Sequence, residues 1–350
     1  MIKVEIDLNA LKANLRYIKA KAGVPVLAVV KADAYGHGLI RCAQAAVDAG
    51  ADYLGTATLT EAIALREAGI KAPLLAWLLP PGEDFKRAVQ LDIELGLSSL
   101  AAFDEVNKIA GAKIHLEVES GMGRGGFSNE WPELLNRDLS NVVGIFTHLA
   151  RADEPGEVQN QTQMENFEKF ISDLNARGVN PIRHLSNTAA TLSNPDAKFD
   201  MVRVGIAMYG LSPLGRNENL KQVMSIKAKL VLVKELPKGH PIGYGATEVT
   251  KSDTKIGIVG MGYADGIPRN AKGAGVTFMG QSAPIIGRVS MDQFAVDLGA
   301  ESRAKSGDWV TVIGEKFDAY DWAQACQTIH YEITTRISQR VPRFYLEDKE

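Results

Sequence analysis

Val26-Leu27-Ala28-Val29-Val30-Lys31 places five apolar residues in a row directly before a lysine. A run this short, apolar throughout and partly β-branched, reads as a strand buried on both faces. Upstream, Asp7 stands where it caps a helix whose Leu8, Leu11, Leu15 and Ile18 recur at helical spacing. Downstream, similar runs follow at 53–56, 74–77, 93–97, 114–118, 143–147, 182–186 and 201–204. Helix-like stretches such as 60–68, 102–110 and 162–176 lie between them. About eight strands alternating with helices over roughly 200 residues predict an α/β fold, a parallel (β/α)8 TIM-like barrel. The rival is an open doubly wound sheet, which usually has fewer strands; no G-x-G-x-x-G follows the first strand here.

Near residue 220 the rhythm changes. Met224, Ile226, Ala228, Leu230 and Leu232 alternate with mostly polar neighbours, the period of a half-buried strand. Further strands are expected at 255–261, 284–289, 294–298 and 309–313, and only 319–328 reads as helix. The expected division is therefore a barrel over 1–219 and a mainly β domain over 220–350.

The chain's 350 residues suit two domains. Its 39 Lys and Arg against 42 Asp and Glu leave a net charge of −3, which carries no electrostatic signature of nucleic-acid binding. No apolar run approaches the ~18 residues that span a bilayer. The acidic, alternating N-terminus is not that of a signal peptide. Cys42 and Cys326 lie far apart and read as buried thiols, in keeping with a cytoplasmic protein. Six scattered histidines, without H-E-x-x-H or C-x-x-C, make a metal site improbable.

In such barrels the active site forms at the C-terminal ends of the strands. That rule selects Lys31, Arg124 in the glycine-rich stretch 120–126, His148, Asn187 and Thr188, and Arg203 followed by Gly205 and Ile206. A lysine ending a buried strand is ordinarily a solvated terminus. Desolvated at a barrel mouth, it loses pKa and can condense with a carbonyl. The hydroxyl of Thr188 and the amides of Gly205 and Ile206 suit a phosphate. A lysine, an arginine, a hydroxyl and glycine amides at one mouth make pyridoxal 5'-phosphate the natural cofactor.

The whole chain resembles the bacterial alanine racemase family. The resemblance rests on 29–38 (VVKADAYGHG), 202–210 (VRVGIAMYG), 262–266 (GYADG) and 288–293 (RVSMDQ), which span both domains. It implies a homodimer with shared active sites that interconverts L- and D-alanine by a two-base mechanism and supplies D-alanine for peptidoglycan. Lys31 would hold the cofactor and act as the base on the D face; Tyr244, from the other subunit, would act on the L face. Tyr35, Asn187, Thr188, Gly205, Ile206 and Tyr331 would bind the cofactor. Arg203 would face its pyridine nitrogen and favour racemisation over transamination, with His148 joining Arg203 in a positive relay that helps Tyr244. Arg124 and Met291 would contact substrate with Asp292 beside them, and Tyr263 and Arg288 would line the entrance.

The chain departs from the family pattern at three places. Many members carry a carbamylated lysine where Glu117 stands, with Glu119 and Ser120 following. Glu117 supplies an anion without modification, so no carbamate and a Glu117–Arg124 contact are expected. Thr188 replaces a serine, and Gly243 replaces the serine before Tyr244. Two other functions compete: racemisation of serine or of a broader amino-acid set, and a non-enzymatic cofactor carrier that would need only Lys31 and the phosphate loops.

Overall fold

The structure is a computed structural model that describes residues 1–217, 219–314 and 316–347. It divides into two compact units, one of Ala10–Ala34 and Leu39–Lys221, the other of Met1–Asn9, Tyr35–Gly38 and Gln222–Glu350. Strand β1 (Ile2–Asp7) belongs to the second.

The first unit is built on eight parallel strands: β2 (Val26–Val29), β3 (Tyr53–Thr56), β4 (Leu74–Ala76), β5 (Glu94–Leu97), β6 (Ile114–Glu117), β7 (Val142–Phe146), β8 (Ile182–His184) and β9 (Val202–Val204). All eight anticipated runs are strands. Each pairs with its sequence neighbour up to β8, and β9 returns to pair with β2, Val26 opposite Val202 and Ala28 opposite Val204. No ladder joins β8 to β9. The seam is bridged instead by Asp200 N–H to Arg183 O (3.0 Å), Arg203 N–H to Ser186 O (2.8 Å) and the Arg183–Asp200 ion pair (2.7 Å). The sheet is thus a nearly closed barrel and not an open doubly wound sheet.

Glycines in the strands make room for the bulkiest inward side chains. A Cβ on Gly55 would lie 2.5 Å from the Trp77 ring, and one on Gly96 2.8 Å from Trp77 Cβ. A Cβ on Gly144 would lie 2.0 Å from the His115 ring. Strand glycine is unfavourable in itself, and here it permits close approach. Around the barrel, the helix Leu59–Glu67 starts in a capping box of Thr58 and Glu61, and Val158–Asn175 buries Met164, Phe167, Ile171 and Leu174. Each such burial contributes about 1.5–3 kcal/mol before entropy is counted.

In the second unit, β10 (Met224–Leu236) pairs antiparallel with β1, Ile2 opposite Ala228. The division expected from sequence puts residues 1–9 with the barrel, whereas β1 completes this sheet. Val4 and Ile6 are buried and alternate with partly exposed neighbours, so the strand has one apolar face to cover. The remaining strands are β11 (Pro241–Ile242), β12 (Glu248–Val249), β13 (Thr254–Val259), β14 (Gly275–Phe278), β15 (Gln281–Pro284), β16 (Phe294–Asp297), β17 (Trp309–Ile313) and β18 (Arg343–Leu346), the last parallel to β1. The strand expected at 284–289 is displaced. The ladder ends at Pro284, and after the isolated Ile285–Val296 bridge the chain turns at Gly287 (φ 77°). The helix expected at 319–328 runs over Ala319–Cys326, and a short helix, His330–Thr335, follows it. Among the described residues no helix is long and apolar enough to cross a membrane.

Candidate active site

Lys31 stands at the C-terminal end of β2 and opens a turn whose hand is reversed. Ala32, Asp33, Ala34 and Tyr35 have φ of 53°, 54°, 52° and 55°. Left-handed backbone costs an L-residue roughly 1–2 kcal/mol, and four in succession persist only when neighbours hold them. Ala34 N–H donates to Val30 O (2.8 Å), Ala32 N–H to Glu61 Oε1 (2.6 Å) and Leu39 N–H to Asp33 Oδ1 (2.8 Å). The Lys31 ammonium lies 5.8 Å above the Trp77 ring. Burial and the positive charges of Arg124 and Arg203 push its pKa below the usual lysine range, against an opposing pull from Glu61.

Arg203, on β9, is buried. Its Nη1 donates to His184 O (2.6 Å) and faces His184 Nδ1 (3.1 Å); its Nη2 donates to Thr147 O (2.6 Å) and faces His148 Nδ1 (3.3 Å). Its Nε–H has no hydrogen-bond partner among the described residues. Burial lowers its pKa to about 10, with Glu117 opposing, so it stays a cation at neutral pH. For His148 the outcome differs from the sequence expectation. Burial, then the charges of Arg203, Arg124 and Lys31, drive its pKa down to about 3. It is therefore neutral at physiological pH, and of the expected pair only Arg203 carries positive charge.

The loop after β6 is tied from inside and from behind. Glu119 accepts four consecutive amides, from Gly121 (2.5 Å), Met122 (2.6 Å), Gly123 (2.8 Å) and Arg124 (3.1 Å). Burial pushes its carboxyl up, but these amides outweigh it and hold the pKa below the usual range. Behind the loop, Gln163 donates to Ser120 Oγ (3.1 Å) and His148 O (2.9 Å), and Asn166 donates to Ser120 O (3.0 Å). The expected Glu117–Arg124 contact is absent. Glu117 makes no ion pair within the described residues; burial raises its pKa while Arg203 and Arg124 pull it down. The loop amides gathered on Glu119 fix Arg124's backbone, leaving Glu117 to act on its charge only through space.

At the last two strand ends, Asn187 caps the short helix Thr188–Ser193 through Ala190 N–H (3.1 Å). Thr188 Oγ1 accepts Gly205 N–H (3.0 Å), which places hydroxyl and glycine together next to Ile206. Tyr209 donates to Val29 O (3.0 Å) and so ties this segment to the strand that carries Lys31.

The second unit gathers the other predicted residues. The rings of Tyr35 and Tyr331 lie 6.2 Å apart, and burial with the neighbouring Tyr331 raises the Tyr35 phenol. Gly36 fits there because a Cβ would lie 2.1 Å from Thr334 O. Tyr244 is 69% exposed, between Gly243 (φ 67°) and Gly245 (φ 77°), and the Arg288 guanidinium lies over Gly245. Tyr263 and Met291 sit on touching loops, Tyr263 N–H donating to Ser290 O (3.1 Å) and Ala264 N–H to Met291 O (2.9 Å). Arg340 bridges the buried Asp265 (2.7 Å) and the exposed Asp292 (2.6 Å).

Two family models match the chain: "Alanine racemase, N-terminal domain" over residues 6–213 and "Alanine racemase, C-terminal domain" over 223–345. The chain belongs to the alanine racemase family. It is 42% identical to the alanine racemase of Salinispora tropica, with 98% of each chain covered. Among solved structures it is similar to the alanine racemase from D-cycloserine-producing Streptomyces lavendulae: TM-score 0.96, 42% identity, 99% of this chain and 97% of that one. It is also similar to the alanine racemase from Bartonella henselae with covalently bound pyridoxal phosphate: TM-score 0.91, 26% identity, 99% of each chain.

In this member of the family several residues that shape the site are not among the expected site residues. Glu61 and Trp77 pack around Lys31, Glu119 shapes the Arg124 loop, and Thr147 and His184 hold Arg203. One signal was present for Glu61, three residues after Thr58 in a capping-box pattern. Among the described residues no group of three or more His, Cys, Asp or Glu could hold a metal ion.

Proposed function

We propose that this protein interconverts L- and D-alanine with pyridoxal 5'-phosphate held by Lys31, and that Lys31 and Tyr244 move the Cα proton on opposite faces of the substrate. The residues suit that cofactor. The Lys31 amine has a lowered pKa, the Arg203 Nε–H is available as a donor, and Thr188 stands against Gly205. Thr188, Gly205, Ile206, Tyr35 and Tyr331 would hold the phosphate, with Asn187 and His148 alongside. When bound, the cofactor acidifies the Cα–H of the amino acid.

The observation that carries the reading is Lys31 itself, a desolvated amine pressed by two arginines. It holds its proton less tightly than an ordinary lysine, the direction that a nucleophile and base requires. Arg203 keeps its charge and would leave the pyridine nitrogen unprotonated, which favours proton return over transamination. Arg124 and Met291 would orient the substrate, and Tyr263 and Arg288 would line the entrance.

Tyr244 is assigned to the site of a second copy, which makes the protein a homodimer with shared sites. In support, its side chain is 69% exposed and has no hydrogen-bond partner among the described residues. A phenol acts as a base only where cationic neighbours stabilise its phenolate. With His148 neutral, the arginines of the barrel must supply them. The enzyme would work in the cytoplasm and supply D-alanine for peptidoglycan.

The test is incubation of the cofactor-loaded protein with L-alanine in D2O, following loss of the Cα proton by NMR and appearance of the D enantiomer. Deuterium entry with inversion supports the two-base scheme. Exchange of L-alanine without inversion would mean that one base on the L face both removes and returns the proton, and would overturn the role of Lys31 as the base of the D face.

A further inference from the structure

We propose that Glu94 and His115 are positioning residues that hold Arg203 from inside the barrel through His184, along a line of hydrogen bonds that all point one way. The line crosses four strands. Arg203 Nη1 faces His184 Nδ1 at 3.1 Å, His184 Nε2 faces His115 Nδ1 at 2.9 Å, and His115 Nε2 faces Glu94 Oε2 at 2.9 Å. Both imidazoles are fully buried, and Glu94 is nearly so.

The direction follows from chemistry at the two ends. Guanidinium only donates, and an ionised carboxylate only accepts. His184 Nδ1 must therefore present its lone pair to Arg203, which puts its proton on Nε2. That proton points at His115 Nδ1, which must accept, so the His115 proton sits on Nε2 and goes to Glu94. Each ring is left with one proton and one tautomer. Either ring with its proton on Nδ1 would set two donors against each other inside the barrel.

The surroundings are built for the line. Phe146 stacks on the His184 ring (5.1 Å between centroids, 15° between planes) and lies 5.3 Å from the Arg203 guanidinium. Gly144 has no side chain where a Cβ would strike the His115 ring at 2.0 Å. The second Glu94 oxygen is 3.9 Å from the half-exposed Lys113. Among the described residues Arg203 holds no ion pair, so Glu94 is the anion to which its charge is connected through bonds. With the tautomer fixed, the His184 ring offers Nη1 an acceptor beside the one its own carbonyl supplies at 2.6 Å. The guanidinium plane is set before anything binds, leaving Nε–H as the donor toward the site.

This inference rests on Arg203 facing the cofactor, but the line is testable without it. Histidine-labelled 15N protein is prepared with and without pyridoxal phosphate, and each imidazole is assigned by single substitution. At neutral pH, His115 and His184 are expected as Nε2–H tautomers in both samples. A proton on Nδ1 of either ring, or a doubly protonated ring, overturns the proposal.

Function is then read in two variants. Glu94→Gln keeps an acceptor oxygen and should leave both tautomers in place and kcat within about twofold. Glu94→Leu removes it and should lower kcat roughly tenfold, with the KM for alanine within about twofold, because Arg203 is not assigned to the amino acid. Wild-type kcat in Glu94→Leu, or an equal loss in Glu94→Gln, overturns the directional line. The spectrum of the unsubstituted protein decides the tautomers even if Glu94→Leu fails to fold. Full activity in both variants, even with the tautomers as expected, overturns the positioning role of Glu94 and His115, whereas absence of racemisation in the unsubstituted protein would overturn the proposed function instead.

Discussion

The Glu61 carboxylate holds the amide of Ala32, the residue directly after Lys31, at 2.6 Å, while its other oxygen accepts Ala57 N–H (3.0 Å) and Thr58 N–H (3.1 Å). One side chain thus caps a barrel helix and secures the first residue of the left-handed turn. Strain after the site lysine is held by a group that also opposes the lowering of its pKa.

Removing that group should cost more than a cap. Glu61→Ala is expected to destabilise the protein by about 2–3 kcal/mol in urea unfolding, against about 1 kcal/mol for an ordinary N-cap loss. Asp33→Asn should stay within about 0.5 kcal/mol, because asparagine keeps the Oδ1 acceptor for Leu39 and tolerates positive φ. Equal losses in the two variants would show that the turn does not depend on Glu61.

Lys31 gives stability a pH dependence of known sign in the cofactor-free protein. Its folded pKa is depressed below the unfolded value of 10.5, so between the two the unfolded chain binds more protons and stability rises with pH. Lys31→Met should therefore melt above the parent at neutral pH. That advantage should shrink as pH climbs from the lowered pKa toward 10.5. Parallel melting curves at every pH would show that Lys31 is not perturbed.

Glycine positions separate clash from conformation. Gly36 (φ 83°) faces Thr334 O, whereas Gly69 (φ 89°) has open space around its missing Cβ. Gly69→Ala is expected to cost about 1 kcal/mol, the left-handed penalty alone. Gly36→Ala should cost about 2–4 kcal/mol because backbone must also move. Chemical denaturation of the two variants compares them directly.

Tyr244→Phe should leave thermal stability within about 0.5 kcal/mol, since the ring is exposed and its hydroxyl bonds to no described residue. Inversion should fall by at least ~10², the usual weight of a general base, while Cα–H exchange from D-alanine survives better. Retained racemisation would remove the tyrosine from the chemistry.

What the sequence by itself determined was local. Eight apolar runs spaced by helices specify the barrel, because a strand buried on both faces must be apolar wherever it lies. The ends of those runs point to Lys31, His148, Thr188 and Arg203, because in this architecture strand ends and the site share one face. Tertiary structure alone decided the rest. The alternation in Ile2–Asp7 announces one face to bury but not its partner, which lies more than 200 residues away in Met224–Leu236. Glu117 feels the charges of Arg203 and Arg124 without an ion pair to either among the described residues, while four backbone amides of the loop gather on Glu119. The line from Glu94 through His115 and His184 to Arg203 joins residues 94, 115, 184 and 203, and no local period connects them. Burial and hydrogen-bond direction are set by which strands meet, and only the folded, nearly closed barrel brings these four together.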